Sequence, residues 1–391
     1  MIHRISNLSK THSFFLFGAR GVGKSSLIHS HFKNEKNTLL IDLLKAEWED
    51  KLIKRPDYLI DFVLKQKTLP HWIIIDEVQK IPKLLDIVHH LIETKGIKFA
   101  LTGSSARKLK RGAANLLAGR AFNFELFPLT HNELKSSFNL DRYLSYGGLP
   151  TLTDFSETSD IHNYLKTYIS TYLKEEIQAE QVIRNLKPFR LFLDVAAQMN
   201  TKILNFSKIG QDIDADTKSV QNYFEILKDT HVGILLNAHD NSLRKRQKKN
   251  PKFYYFDTGV ARSLNRRLNV PLKKGTFEYG DLFEQFIILE MHRLNSYYSL
   301  DYQFSYLQTN NDLEIDIIIE RPGLPAAFVE IKSTEVISDA NIRSLVSVKK
   351  DFPKNKYFCL SNDPRNRIEN GIEILHWKKG LFELGFVMQS D

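Results

Sequence analysis

The stretch that most constrains the fold is "FFLFGARGVGKSSLIHSHF", residues 14–32. A short apolar run enters a glycine-rich loop, and a helix-forming segment leaves it. Gly18, four residues, then Gly23-Lys24-Ser25 meet the pattern G-x-x-x-x-G-K-[ST] without a mismatch. The glycines let the backbone N–H groups of Gly18, Ala19, Arg20, Gly21, Val22 and Gly23 wrap an anion. Lys24 adds a mobile charge for β/γ-phosphate oxygens, and the Ser25 hydroxyl, with Ser26 beside it, is placed to ligate Mg²⁺. A helix starting near Gly23 points its positive end at the same site. A strand–loop–helix unit of this kind requires a parallel α/β sheet with ligands at the strand ends.

The following sequence supplies that sheet. Apolar runs at 14–17, 38–42, 72–75, 98–101 and 121–127 alternate with helical stretches. "HWIIIDEVQKI" ends its apolar run in Asp76-Glu77, a Walker B arrangement in which Asp76 holds Mg²⁺ through water and Glu77 polarises the attacking water. "IKFALTGSSARKL" ends in Thr102-Gly103-Ser104-Ser105. Ser104 there reads as a γ-phosphate sensor or as the N-cap of the next helix. Arg120 reads equally as a γ-phosphate sensor or arginine finger and as a partner for a carboxylate. Acting in trans it requires a homo-oligomer; in cis it does not. The motif order, with "TGSS", "GR" and then Leu126, Pro128, Leu129 and Glu133, resembles the archaeal-type branch of the AAA ATPases. The resemblance implies ATP and Mg²⁺ as cofactors and covers residues 1–135.

Beyond residue 135 the pattern changes. "YGGLP" breaks the chain near 146, and residues 136–202 read as a helical linker or lid. The aromatic stripe in "IHNYLKTYISTYLKEEI" reads as core. Residues 203–265 read as a winged helix: a helix with Ile209 and Ile213, a turn, a second helix exposing Lys218, Ser219, Gln221 and Asn222, then two strands. Between those strands, Asn241 to Lys252 holds six Lys/Arg and no acid. Arg244, Lys245, Arg246, Lys248 and Lys249, with Lys218, are therefore candidate nucleic-acid contacts, DNA favoured, or else a solvated loop. The net charge of 55 − 46 = +9 fits a polyanion partner.

Residues 270–391 read as an α/β domain: a helix carrying Glu284, a three-stranded meander, another helix and another strand. Alternation along a strand puts Glu314, Asp316 and Glu320 on one face, and Glu330 and Lys332 on one face of the next. Paired carboxylates beside a lysine suit Mg²⁺-assisted phosphodiester chemistry or a salt-bridged trio that fixes a strand pair. The series resembles the PD-(D/E)xK nucleases, with Ile315 where that motif has proline. The resemblance implies Asp316 and Glu330 as metal carboxylates, Lys332 as the catalytic lysine and Glu284 as an accessory acid. The whole order, including "FDTGVAR" and "LFEQFI", resembles a family of predicted AAA-type ATPases with a nuclease-like C-terminal domain.

The expected molecule is thus α/β throughout its ends: a P-loop parallel-sheet ATPase domain, a helical linker, a winged helix and a C-terminal nuclease-like domain. It would couple ATP binding and hydrolysis to DNA binding and metal-dependent cleavage, or act as a non-catalytic ATP-gated switch. No run of 18 apolar residues exists, so no membrane partner is expected. The N-terminal apolar segment is too short for a signal peptide. The single cysteine, Cys359, fits a reducing cytoplasm.

Overall fold

The structure is a computed structural model that describes residues 2–105, 107, 117–173, 186–239, 249–309 and 313–387. Its first sheet has five strands: β1 (Ser13–Phe17), β2 (Thr38–Asp42), β3 (Trp72–Asp76), β4 (Lys98–Gly103) and β5 (Ala121–Glu125). They pair in parallel in the order β2-β3-β4-β1-β5. The runs SFFLF and WIIID read as nearly continuous apolar because helices and loops cover both faces of the sheet. One face packs Phe15, Phe17, Ile73, Ile75, Phe99 and Leu101 against flanking helices. The other packs Phe14, Leu16, Ile74 and Ala100 into a core that continues into residues 149–268. Because β4 lies between β1 and β3, its tip stands between the glycine loop and Asp76.

The middle of the chain is mainly helical. Helices Leu140–Tyr146, Thr158–Thr167 and Leu186–Gln198 precede Phe206–Ile213 and Thr217–Asp229. Asn205 and Asp216 cap the last two, each accepting a backbone N–H at 3.0 Å. Val220, Phe224 and Leu227 face inward at helical spacing. Strands β6 (Gly233–Leu236) and β7 (Lys252–Tyr255) then form an antiparallel pair. Asp257 caps helix Thr258–Leu264 and also accepts the Gly148 N–H at 2.7 Å, which brings "FDTG" onto "YGGLP".

Helix Phe277–Tyr298, 22 residues and roughly 33 Å long, opens the last part. Strands β8 (Gln303–Gln308), β9 (Glu314–Glu320) and β10 (Ala327–Lys332) follow as an antiparallel meander. Helix Asp339–Asp351 crosses to β11 (Lys356–Ser361), parallel to β10, and then come β12 (Arg367–Glu369), β13 (Ile372–His376) and helix Trp377–Glu383. The sheet order is β12-β13-β11-β10-β9-β8. The β6–β7 pair adjoins its β8 edge: His239 N–H donates to the Tyr306 carbonyl at 2.6 Å, and Tyr306 N–H to the Asn237 carbonyl at 3.0 Å. No helix among the described residues is long and apolar enough to cross a membrane.

Candidate functional site

The glycine loop leaves β1 and enters helix Lys24–His31. Gly23 stands at φ +95°, a left-handed conformation that a residue with a Cβ adopts only with strain. Lys24 is buried, and its ammonium donates to the Gly18 and Ala19 carbonyls at 2.8 and 3.2 Å, folded back on the loop itself. The Ser25 hydroxyl donates to Asp76 Oδ2 at 2.9 Å, and the Thr102 hydroxyl donates to Asp76 Oδ1. Thr102 thereby orients Asp76, and Glu77 N–H donates to Thr102 Oγ1 at 3.2 Å. Glu77 itself sits at φ 61°, a strained position of the kind found at functional sites. Ser26 is exposed on the first turn of the helix.

Sequence reasoning passed over Gln79. Its amide donates to Ser104 Oγ at 2.8 Å and also to Glu77 Oε2, so it ties the acidic residue to the tip of β4. Gln79 is buried, and its Oε1 has no hydrogen-bond partner. The signal was present in "DEVQ", where an amide three residues after a strand end needs partners if it is buried.

The loop is held from outside by residues the sequence suggested only as core or not at all. Tyr168 donates to the Arg20 carbonyl at 2.8 Å, and Tyr164 and Tyr168 lie against Gly21. Arg4 donates to the Val22 carbonyl at 2.7 Å, to Glu133 Oε1 at 2.8 Å and to Tyr297 at 3.0 Å. Burial pushes the Tyr297 phenol up to about 12, with Glu133 adding to the rise and Arg4 opposing it. Tyr297 belongs to helix Phe277–Tyr298, so the same helix meets the glycine loop's support at one end and carries Glu284 toward the other.

Arg120 stands apart from this cluster. The register Ser13↔Ala121 puts it beside the N-terminal end of β1, while the glycine loop leaves the C-terminal end, roughly 13 Å away. It pairs with Glu93 on the surface. Of the two readings, the pairing with a carboxylate is the one met within this chain, and the strand register separates Arg120 from the nucleotide loop.

The second cluster sits in the C-terminal sheet. Ile331 N–H donates to Asp316 Oδ2 at 2.7 Å, where the β9–β10 ladder has ended and the carboxylate replaces a backbone acceptor. Lys332 donates to Glu330 Oε1 at 2.6 Å. The surprise is Lys252 of β7, which pairs with Glu284 at 3.2 Å and with Glu314, and lies 4.0 Å from Asp316. Tyr254 donates to Glu284 at 2.7 Å. Burial, then repulsion from Asp316, pushes Glu330 up to about 8 against the pull of Lys332. Burial also raises Glu284 to about 7, with Lys252 lowering it and Asp316 raising it. The carboxylates raise both lysines above their ordinary values against burial.

Among the described residues no three His, Cys, Asp or Glu side chains converge as a ready metal site, and lysines stand among the acids. The donor set still fits a hard divalent cation at Asp316 and Glu330: Glu330 is buried and its Oε2 has no hydrogen-bond partner. Glu284 is already bound to Lys252 and Tyr254. Glu320 lies at the far end of β9, opposite Gln303.

Of the basic candidates, Arg244, Lys245, Arg246 and Lys248 lie outside the described residues. Lys218 and Lys249 are exposed. Ser219 and Asn222 are not free to reach a groove: Ser219 Oγ donates to Asp216 at 2.5 Å, and Asn222 accepts from Arg107 at 2.9 Å. Arg107 also reaches Asp229 at 3.5 Å, so helix Thr217–Asp229 is tied to the segment that follows Ser104 and Ser105.

Comparison with known proteins agrees with the first cluster. Residues 10–135 match a family model described as an AAA domain. The first domain is an AAA-type P-loop domain. Residues 137–271 match a domain of unknown function (DUF8612), and residues 279–379 another (DUF4143). An uncharacterized protein of Mycobacterium tuberculosis is 28% identical over 289 residues, 72% of this chain and 63% of the relative. The chain thus spans less than two thirds of that relative's length. An uncharacterized protein of Methanocaldococcus jannaschii is 23% identical over 310 residues, 71% of this chain and 66% of the relative. Among solved structures, the replication initiator DnaA bound to AMPPCP and single-stranded DNA overlaps 56% of this chain and 83% of its own, at 14% identity and a TM-score of 0.29. A DNA polymerase III gamma subunit-related protein of Thermotoga maritima overlaps 57% and 95%, at 12% identity and a TM-score of 0.28. These scores are too low to establish a common fold.

Proposed function

We propose that the chain is an ATP-hydrolysing switch whose nucleotide state governs DNA binding, with metal-dependent phosphodiester cleavage at the C-terminal acidic cluster. The observation that carries the reading is the Ser25–Asp76 hydrogen bond at 2.9 Å, with Glu77, Gln79 and Ser104 at the adjoining strand tips. Backbone N–H groups of Gly18 to Gly23 receive the phosphates, and Lys24 exchanges two carbonyl partners for phosphate oxygens. Bound Mg²⁺ supplies charge neutralisation, and Ser25 and Asp76 are the residues that would hold it. Glu77 accepts the proton of the attacking water, while Gln79 fixes its carboxylate.

Arg107 supports a path from the β4 tip to helix Thr217–Asp229, and the helix-turn-helix and β6–β7 pair then act as a winged helix. The basic residues Arg244, Lys245, Arg246, Lys248 and Lys249 would meet a phosphate backbone, giving weak sequence preference and strong salt dependence. At the acidic cluster Asp316 and Glu330 would hold a divalent cation, and Lys332 would steady negative charge on the attacked phosphate. The second reading, a non-catalytic ATP-gated binding switch, is favoured by one observation: Lys252 and Lys332 already pair with the acids.

The test is a cleavage and binding assay on labelled linear, plasmid and branched DNA with Mg²⁺ or Mn²⁺, with and without ATP. Wild type runs beside Lys24→Ala and Asp316→Ala. Cutting that disappears in Asp316→Ala supports cleavage. Nucleotide-dependent binding without cutting leaves the second reading in place. Neither binding nor cutting under any condition overturns both.

A further inference from the structure

We propose that Lys252 is the resident cation of the acidic cluster, a positioning residue of the β6–β7 hairpin that decides whether the cluster takes a divalent metal. This rests on the reading of Asp316 and Glu330 as metal carboxylates. Lys252 is only 3% exposed, yet it belongs to no C-terminal element. It reaches across to Glu284 on helix Phe277–Tyr298 and to Glu314 and Asp316 on β9. A single carboxylate would balance the charge of a buried ammonium; here three gather around it.

A lysine ammonium is a compact point charge, and it competes for the carboxylate oxygens a divalent cation would use. Two such cations about 4 Å apart repel strongly in a poorly solvated site, so lysine and metal exclude one another. The lysine leaves the site incompletely satisfied. Four carboxyl groups (Glu284, Glu314, Asp316 and Glu330) surround two lysines, Lys252 and Lys332, and Glu330 Oε2 stays buried without a hydrogen-bond partner. The cluster is therefore held by lysine while one carboxyl oxygen stays open.

The lysine is seated by its hairpin, which is pinned to the β8 edge by the Ala238–Tyr306 bridge and by Tyr306, whose hydroxyl donates to the Asn250 carbonyl at 2.5 Å. While the ammonium stays seated beside Glu284, Glu314 and Asp316, the resting protein is kept from loading its acidic site.

Manganese binding to the full-length, nucleotide-free protein tests this, read from the electron paramagnetic resonance signal of free Mn²⁺. Lys252→Met should bind one Mn²⁺ about tenfold or more tightly than wild type, and adding Glu330→Gln should remove that ion. A folded Lys252→Met that binds no tighter than wild type overturns the proposal. Should Lys252→Met fail to fold, Glu314→Gln decides: it removes one partner of the lysine and no metal carboxylate. Severalfold tighter binding there supports the proposal, and unchanged binding overturns it. Equal binding in wild type and the lysine variant, lost in Glu330→Gln, would leave the metal site standing and remove only the role of Lys252. Absence of Mn²⁺ binding in every variant would remove both.

Discussion

The Ser25 hydroxyl donates to Asp76 Oδ2 at 2.9 Å, joining the first turn of the helix after the glycine loop to the end of β3, residues 51 apart in sequence, with β4 between β1 and β3. A hydroxyl and a carboxylate in this relation share a position between them that suits a hard cation and its waters. The order of strands makes the contact possible.

Gln79 fixes Glu77 against Ser104, so its removal should affect chemistry more than binding. Gln79→Ala is expected to lower kcat for ATP hydrolysis about tenfold while leaving nucleotide affinity within about twofold. Steady-state kinetics together with a fluorescent-nucleotide titration measure both. An unchanged kcat would remove Gln79 from the hydrolytic arrangement.

Asp257 joins "FDTG" to "YGGLP" through a buried carboxylate that caps one helix and accepts the Gly148 amide. Asp257→Ala should destabilise the protein by about 2–4 kcal/mol, since a cap is lost and a buried N–H is orphaned. Gly147→Ala should be at least as harmful: φ is +82°, and a Cβ there would stand 2.0 Å from Asp257 Oδ1. Urea unfolding of both variants checks the pair, and a change under about 0.5 kcal/mol in either would contradict the packing described.

The P-loop and Walker B residues were legible because each motif is local: strand, turn and helix lie within twenty residues of one another. The acidic strands were legible too, since alternation alone puts Glu314 with Asp316 and Glu330 with Lys332. Lys252 was not. It reads as part of a basic run, and only the docking of the β6–β7 pair on the β8 edge shows that its charge turns inward, to Glu284 and Glu314. Tyr168 likewise carries the spacing of a core stripe, and nothing in that spacing says that its hydroxyl ends on the Arg20 carbonyl. Arg120 was legible only as a pair of alternatives: its neighbours suit a phosphate sensor or a carboxylate partner, and only the register of β5 on β1 puts it at the N-terminal end of β1, beside Glu93.

His292 gives the molecule a pH-dependent component. Burial, with Arg293 adjacent, lowers its pKa to about 4 from 6.5. The unfolded chain therefore takes up a proton between pH 6.5 and 4 that the folded one refuses, and stability contributed by the neutral ring is lost as pH falls through that window. Melting temperatures measured from pH 7 to 4 should fall more steeply for wild type than for His292→Gln. Parallel curves would show that the ring is not held neutral.

The central claim is that Lys24, Ser25, Asp76 and Glu77 form a working ATP site. Steady-state ATP hydrolysis by the full-length protein, with and without DNA, tests it most directly. Wild type should hydrolyse ATP with Mg²⁺ present and respond to DNA, Glu77→Gln should retain nucleotide binding while losing about a hundredfold or more in rate, and Lys24→Ala should lose binding itself. Hydrolysis by Glu77→Gln and Lys24→Ala at the wild-type rate would contradict the account.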